Sequence, residues 1–263
     1  MIFSITNQKG GVGKTTTVIN IGAYLAKNGK RVLVVDLDPQ SNLTSGLGIK
    51  NEYKEFRTVY EMLLGDATVD EVIKPTRIPN LDILPSTIEL AGAEIELVSA
   101  LSRESILKNQ LNKITDKYDF ILIDSPPSLG LLTINSLVAA GNVLIPVQSE
   151  YFALEGLGQL LNTVKLIKNT LNPGLDIGGV ILTMYDTRTN LSKDVTSEIQ
   201  SFFGDKVFKS IIPRSIKLSE APSHGLTIME FSPFSPGALA YESLVEEIIN
   251  KYTLVRPNIG RKP

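Results

Sequence analysis

The stretch Asn7-Gln8-Lys9-Gly10-Gly11-Val12-Gly13-Lys14-Thr15-Thr16 decides how this 263-residue chain is read. An apolar run, Ile2 to Ile5, leads into it, and a helix-compatible segment, Thr15 to Asn28, follows. The glycines therefore sit at a strand-to-helix turn. Backbone N–H groups and a helix N-terminus converge there on one point, which favours a phosphate. Gly10, Gly11 and Gly13 remove the Cβ atoms that would hold the backbone away from an anion. Lys14 adds a mobile positive charge, and the Thr15 hydroxyl is placed to bind a magnesium ion. The usual pattern G-x-x-x-x-G-K-[ST] is not met strictly, because Gln8 stands where the first glycine belongs. A second lysine, Lys9, precedes the glycine pair instead.

The rest of the chain is consistent with an α/β protein built around that turn. Length allows one large domain or two small ones. Hydrophobic residues make up 43% and charged residues 21%, ordinary values for a globular chain. Net charge is −2, so attraction to nucleic acid or anionic lipid needs a local patch. There is no cysteine, which excludes disulfides, cysteine-held clusters and a thiol nucleophile. Met1 opens directly into a strand pattern with no signal peptide, and no apolar run reaches the roughly 20 residues of a membrane span, so a cytoplasmic protein is expected.

Two further blocks end apolar runs with carboxylates. Arg31 to Val35 reads as a buried parallel strand, continuous rather than alternating, with Asp36 and Asp38 at its carboxyl end. Ligands bind at that edge of open α/β sheets. Asp119 to Ser128 gives a second such strand ending in Asp124, in the manner of a magnesium-holding Walker B carboxylate. Elsewhere, helices are expected at Val59–Leu64, 87–101, 103–117, 130–140, 154–171, 192–203 and 237–252. Strands are expected at Leu81–Leu84, Val143–Val147, Ile177–Met184 and Val207–Ile212, and a small polar loop at 41–48. Strands alternate with helices throughout. The expected fold is a single-domain, doubly wound, mostly parallel sheet with helices on both faces, residues 1–252, followed by a basic tail, 253–263.

Four blocks, KGGVGKTT, VDLDPQSN, LIDSPPS and IPRSIKLSEAPSHG, resemble the ParA/Soj partitioning ATPases of the ParA/MinD superfamily, whose P-loop is a deviant Walker A motif. TMYDTRTNLS fits as well, and the resemblance runs to about residue 250. It implies an ATPase using ATP and Mg2+ that dimerises with two nucleotides at the interface. Lys9, Gly10, Gly11, Val12, Gly13, Lys14, Thr15 and Thr16 would hold the nucleotide, and Pro213 would border the adenine. Lys14 would be the P-loop lysine and Lys9 the signature lysine that reaches the partner subunit's phosphates. Thr15 would bind magnesium, with Asp124 as Walker B residue, and Asp38 would orient the attacking water beside the metal.

The same resemblance implies a ParB-type centromere-binding partner, non-specific double-stranded DNA bound by an ATP-dependent homodimer, and a place on the nucleoid. Arg188 and Lys217 would contact DNA, joined by Lys193 and Arg214 in one basic surface that two subunits extend across the dimer. Lys217 stands where relatives have arginine, keeping charge but losing the guanidinium fork. A MinD-like membrane-cycling ATPase is the alternative, but Glu242, Glu246 and Glu247 on the last helix oppose anionic lipid, and no membrane is expected. A ligase-type synthetase on the same scaffold lacks a separate substrate motif, and no N-K-x-D sequence reads guanine. The single histidine, His224, and Tyr151 and Phe152 are assigned to surface or packing roles.

Overall fold

The structure is a computed structural model that describes residues 1–50, 56–150 and 155–253. The tail from 254 onward, with Tyr151 and Phe152, lies outside the described residues. Among the described residues, seven strands form one sheet: β1 Ile2–Ile5, β2 Val32–Asp36, β3 Lys74–Pro75, β4 Leu81–Leu84, β5 Phe120–Asp124, β6 Asn142–Gln148 and β7 Asp176–Thr183. Their order is β3-β4-β2-β5-β1-β6-β7. All pairings are parallel except β3 with β4, which is antiparallel.

The continuous apolar strands are divided by the pleat between two faces, as a sheet covered on both sides requires. Val32 and Val34 of β2 point into one core, with Phe120 and Leu122 of β5 and Leu144 of β6. That core is closed by the helix Lys14–Lys27 and the C-terminal helix Pro236–Thr253. Leu33, Val35, Ile121 and Ile123 point the other way, under the helices Val59–Leu64 and Ile106–Leu111. Val143, Ile145 and Val147 continue that second face with Leu160, Val164 and Ile199. The doubly wound architecture expected from the sequence is present.

Several boundaries differ, for local reasons. The 41–48 stretch is not an open loop: Asn42–Gly46 is helical and buries Leu43. The expected helix 87–101 shrinks to Leu90–Glu96 with a 3-10 turn, Leu97–Ser99. The expected helix 103–117 is broken at both ends. Ser102 takes φ 53°, a 3-10 turn covers Arg103–Ser105, and the α-helix stops at Leu111. Residues 207–212 do not form a strand. Phe208 N and Ile212 N bond to β7 at Val180 O and Leu182 O, but between them Lys209 N and Ser210 N turn to the Glu247 carboxylate at 2.9 and 2.7 Å. Only isolated bridges remain. The two-residue β3 had no signal, being too short to show a period.

Parallel register brings the chemistry to one edge. Ile5 and Asp36 both pair with Asp124, so β1, β2 and β5 end level with one another. Among the described residues, no helix is long and apolar enough to cross a membrane.

Candidate nucleotide-binding site

The P-loop leaves β1 at Thr6 and wraps the start of the helix Lys14–Lys27. Its shape is pinned from outside. Asn7 is buried, donates through Nδ2 to Pro146 O at 2.7 Å, and accepts from Lys9 N at 3.0 Å. Gln148 Nε2 donates to Gly11 O at 3.0 Å, and the Thr183 hydroxyl donates to Val12 O at 2.9 Å. Gly11 and Gly13 adopt φ 72° and 87°, a region costly for any residue with a Cβ. Gly13 is also the N-cap, and it offers the helix no side-chain cap. The orphan N–H groups of the first turn are thus left for an external acceptor.

Lys14 is buried, and its Nζ rests on Lys9 O at 3.3 Å. Burial lowers its pKa, while the charges of Asp124 and Asp38 work against that shift. The Thr15 hydroxyl donates to Asp124 Oδ2 at 2.6 Å. Asp124 Oδ1 is buried with no hydrogen-bond partner. Burial, and next the charge of Asp36, push the Asp124 carboxyl well above its ordinary range. An orphaned buried carboxylate oxygen beside a threonine hydroxyl suits a hydrated divalent cation. Among the described residues no cluster of three acidic or histidine side chains forms a self-sufficient metal cage.

Asp38 is buried at the end of β2 with Oδ1 accepting from Gln40 N at 2.9 Å. Its position depends on a residue to which the sequence reading gave no role. Asp36 is fully buried and accepts from Thr44 N (2.8 Å), Thr44 Oγ1 (2.6 Å) and Asp38 N (3.2 Å). Thr44 Oγ1 in turn accepts from Ser86 N at 2.9 Å, and Ser86 Oγ donates to Asp38 O at 3.1 Å. This closed ring fixes the Asp38 backbone from both sides. Gln148 and Thr183 were also missed, because distant strands supply them without a local motif, and Asn7, though it opens the loop, was given no role because its anchor Pro146 O lies on distant β6.

These parts surround a cleft of about 530 Å3 lined by Gly10, Gly11, Gly13, Lys14, Thr15 and Thr16 on one side and Asp38 and Pro127 on the other. Val12 lines none of it: its side chain is in the core, and only its backbone faces the loop. Beyond Thr16 and Met184 opens a smaller pocket of about 240 Å3, walled by Ile212, Pro213, Leu218 and Tyr241. A flat heterocycle fits such an apolar slot next to a phosphate cradle. Lys9 points out of the cleft, and its Nζ lies 3.6 Å from Glu150 Oε2, while Arg214 Nη1 approaches the other oxygen of Glu150 at 3.8 Å.

The AAA domain family model matches residues 1–177. The sporulation initiation inhibitor protein Soj of Bacillus subtilis is 58% identical over 247 residues, covering 94% of this chain and 97% of that protein. The chain belongs to the Soj/ParA family of partitioning ATPases. Among solved structures, one titled cobyrinic acid a,c-diamide synthase from Mycobacterium smegmatis, with bound ATP analog and magnesium, superposes with TM-score 0.85 at 38% identity. It covers 97% of this chain and 96% of its own. The cell division ATPase MinD of Pyrococcus furiosus gives TM-score 0.77 at 28% identity, covering 95% and 98%. The Soj/ParA relationship is thus much closer than that to MinD.

Of the residues expected to meet DNA, Arg188 lies in the loop after β7 and Lys217 in the helix Ile216–Glu220, just past Arg214. Arg188 sits in the loop after β7, 84% exposed, and is held by Asp186 through Nε at 2.9 Å and Nη2 at 2.7 Å. That guanidinium holds the Asp186 carboxyl far below the usual range. Arg188 and Arg214 line one outer groove of about 450 Å3 with Tyr185, Pro213, Ser215 and Ile216. Lys217 is not in that lining; its Nζ donates to Ser232 Oγ at 3.0 Å. Lys193 is exposed on the helix Asn190–Phe203. On the C-terminal helix, Glu242 pairs with Lys27 and Glu247 is taken by Lys209 and Ser210, so the expected acidic face is partly consumed inside the molecule. Lys251, in the last turn of the C-terminal helix, is folded against the sheet with Nζ on Gly178 O. His224 stacks on Phe231, outside the cleft lining.

Proposed function

We propose that this chain binds ATP with Mg2+ as a switch ATPase, dimerises in the ATP state, and then holds non-specific DNA to move a chromosome or plasmid with a ParB-type partner. The observation that carries the reading is the uncapped turn Gly13–Thr16 set against the Thr15–Asp124 pair. Backbone N–H groups and Lys14 take the phosphates, and an arriving anion offsets the burial that lowers the lysine's pKa. Thr15, Asp124 and Asp38 are the residues that would hold the metal, which neutralises charge on the transferring phosphoryl group. Asp38, fixed by the Asp36–Thr44–Ser86 ring, orients the attacking water. Thr16 supports the α-phosphate, and Pro213 borders the adenine.

Phosphoryl transfer depends on positioning and positive charge more than on covalent chemistry. Lys9 supplies that charge to the partner subunit only after dimerisation, so hydrolysis without a partner is slow and ATP acts as the joining signal. Residues 1–252 act as one ATPase domain and 253–263 as a basic tail, in a cytoplasmic, nucleoid-associated protein. Similarity to Soj, far above that to MinD, supports partitioning over membrane cycling.

The test is polarisation on non-specific duplex with ATP, with ADP and without nucleotide, using Asp38→Ala to hold the dimer. The ATP dimer is expected to bind with steep salt dependence and little sequence preference. Arg188→Glu with Lys217→Glu is expected to abolish binding while leaving the dimer. An ATP dimer that ignores DNA at low salt but sediments with anionic liposomes overturns the reading in favour of the membrane-cycling one.

A further inference from the structure

The nucleotide cleft has one wall that is positioned from outside it. Asn42 and Ser45 line the cleft from the helix Asn42–Gly46, and Ser219, Pro222 and Ser223 line it from the segment after Pro213. These two pieces lie far apart in sequence and are brought together at a pair of glycines. Gly48 and Gly225 are both left-handed, at φ 77° and 65°, and a Cβ added to Gly225 would lie 2.8 Å from Gly48 Cα. Two backbones approach this closely only where neither carries a side chain.

Arg77 reaches that contact from the turn between β3 and β4, and it does not itself line the cleft. Its Nη2 donates to Gly225 O, its Nε donates to Glu230 Oε1 at 2.6 Å, and Nη2 also meets Glu230 Oε2 at 3.1 Å. A Cβ on Gly48 would come within 2.8 Å of Arg77 Nη1, so the guanidinium rests on Gly48 as well. Glu230 is held in turn, accepting from Thr227 N at 3.0 Å and from the Thr227 hydroxyl at 2.9 Å. A second tie comes from the P-loop helix. Asn20 Oδ1 accepts from Ile228 N at 2.9 Å, while its Nδ2 donates to Thr16 O at 2.8 Å. Residues 221–230 are thus fastened on one side to the helix that carries Lys14 and on the other to the Gly48 end of the cleft wall.

We propose that Arg77 is a positioning residue for nucleotide binding, a clip that holds Pro222 and Ser223 against the wall carrying Ser45. This role rests on the nucleotide site described above and adds to it a residue outside the cleft. A partly exposed ion pair adds little to folding stability. A bidentate pair whose donor also takes a carbonyl fixes orientation, which is what a cleft wall needs. Without the clip the wall leaves its bound position for part of the time, and apparent affinity falls with the fraction of molecules that remain competent. A lysine would keep the charge but lose the fork, and one ammonium on a flexible stem sets no angle between Gly225 O and the Glu230 carboxylate.

The test is calorimetric titration of the full chain with ADP and magnesium, which reads affinity and stoichiometry separately. Arg77→Gln is expected to weaken Kd about tenfold with unchanged stoichiometry. Arg77→Lys is expected to stay closer to Arg77→Gln than to the wild type. Arg31→Gln, which removes the exposed pair with Asp119 at the other edge of the sheet, is expected to leave Kd unchanged. A purely structural clip would lower the stoichiometry, by unfolding part of the sample, and leave the Kd of the remainder alone; that result overturns the proposal. Wild-type affinity in Arg77→Lys overturns it too, because charge alone would then suffice, as does equal weakening by Arg31→Gln. Failure of the wild type itself to bind ADP overturns the nucleotide site, and the clip with it, whereas wild-type binding matched by Arg77→Gln overturns the clip alone.

Discussion

Replacing Asp36 by Asn separates the two things this buried carboxylate does. Burial drives its pKa from 3.8 up to about 6, even though Thr44 and Asp38 donate three hydrogen bonds to it. At neutral pH the folded protein therefore carries an anion that its surroundings disfavour. Below about 6 the folded form takes up a proton, while the unfolded chain does so only near 3.8. Stability from this group accordingly rises as pH falls through that window, by up to about 3 kcal/mol. About 1.4 kcal/mol of that falls between pH 7.5 and 5, which in a chain of this size is roughly 3–6 °C in Tm. Asp36→Asn has no such proton to gain. It also relieves Asp124, whose carboxyl is pushed up by burial first and by Asp36 next. Calorimetric melting of nucleotide-free, magnesium-free protein from pH 7.5 to 5 is the assay. The wild type is expected to gain on the variant steadily as acid is added. Two melting curves that stay parallel across the window would refute the buried-anion argument.

Lys14→Ala is expected to lose ATP binding by calorimetry; unchanged affinity sinks the phosphate-cradle assignment. Asp38→Ala is expected to bind ATP and accumulate as a dimer on size exclusion, whereas Lys9→Ala binds ATP without forming a productive dimer. Normal hydrolysis by Lys9→Ala removes the trans-lysine model. Asp186→Asn frees Arg188 from its carboxylate partner and is expected to tighten DNA binding by the ATP dimer several-fold at low salt; a change in the opposite direction means that Asp186 instead holds Arg188 in its binding pose.

Much of the fold was legible because its signals are local. Apolar runs ending in Asp36 and Asp124, and glycines at a strand-to-helix turn, name a parallel sheet edge without any tertiary knowledge. What was not legible depends on partners far along the chain. Asn42–Gly46 folds as helix because Thr44 finds Asp36 and Leu43 finds the core. Residues 207–212 have the composition of a strand, but Glu247, far down the chain, takes their N–H groups. Arg188 is exposed, and its pairing with Asp186 turns on loop geometry two residues long. Asp36 stood in plain view beside Asp38, and the missing clue was Thr44.

The inner pocket and the outer groove share one wall, Pro213, Arg214 and Ser215. That wall is tied to the loop of Arg188 by the bonds of Tyr185 N to Ile212 O and Arg214 N to Tyr185 O. A ligand in either cavity presses on the same few peptide units. Thermodynamic reciprocity then governs the pair: whatever factor an occupant of the inner pocket applies to affinity in the groove, an occupant of the groove must return to the pocket. DNA held in that groove would shift the affinity for an occupant of the inner pocket by the same factor as that occupant shifts the affinity for DNA.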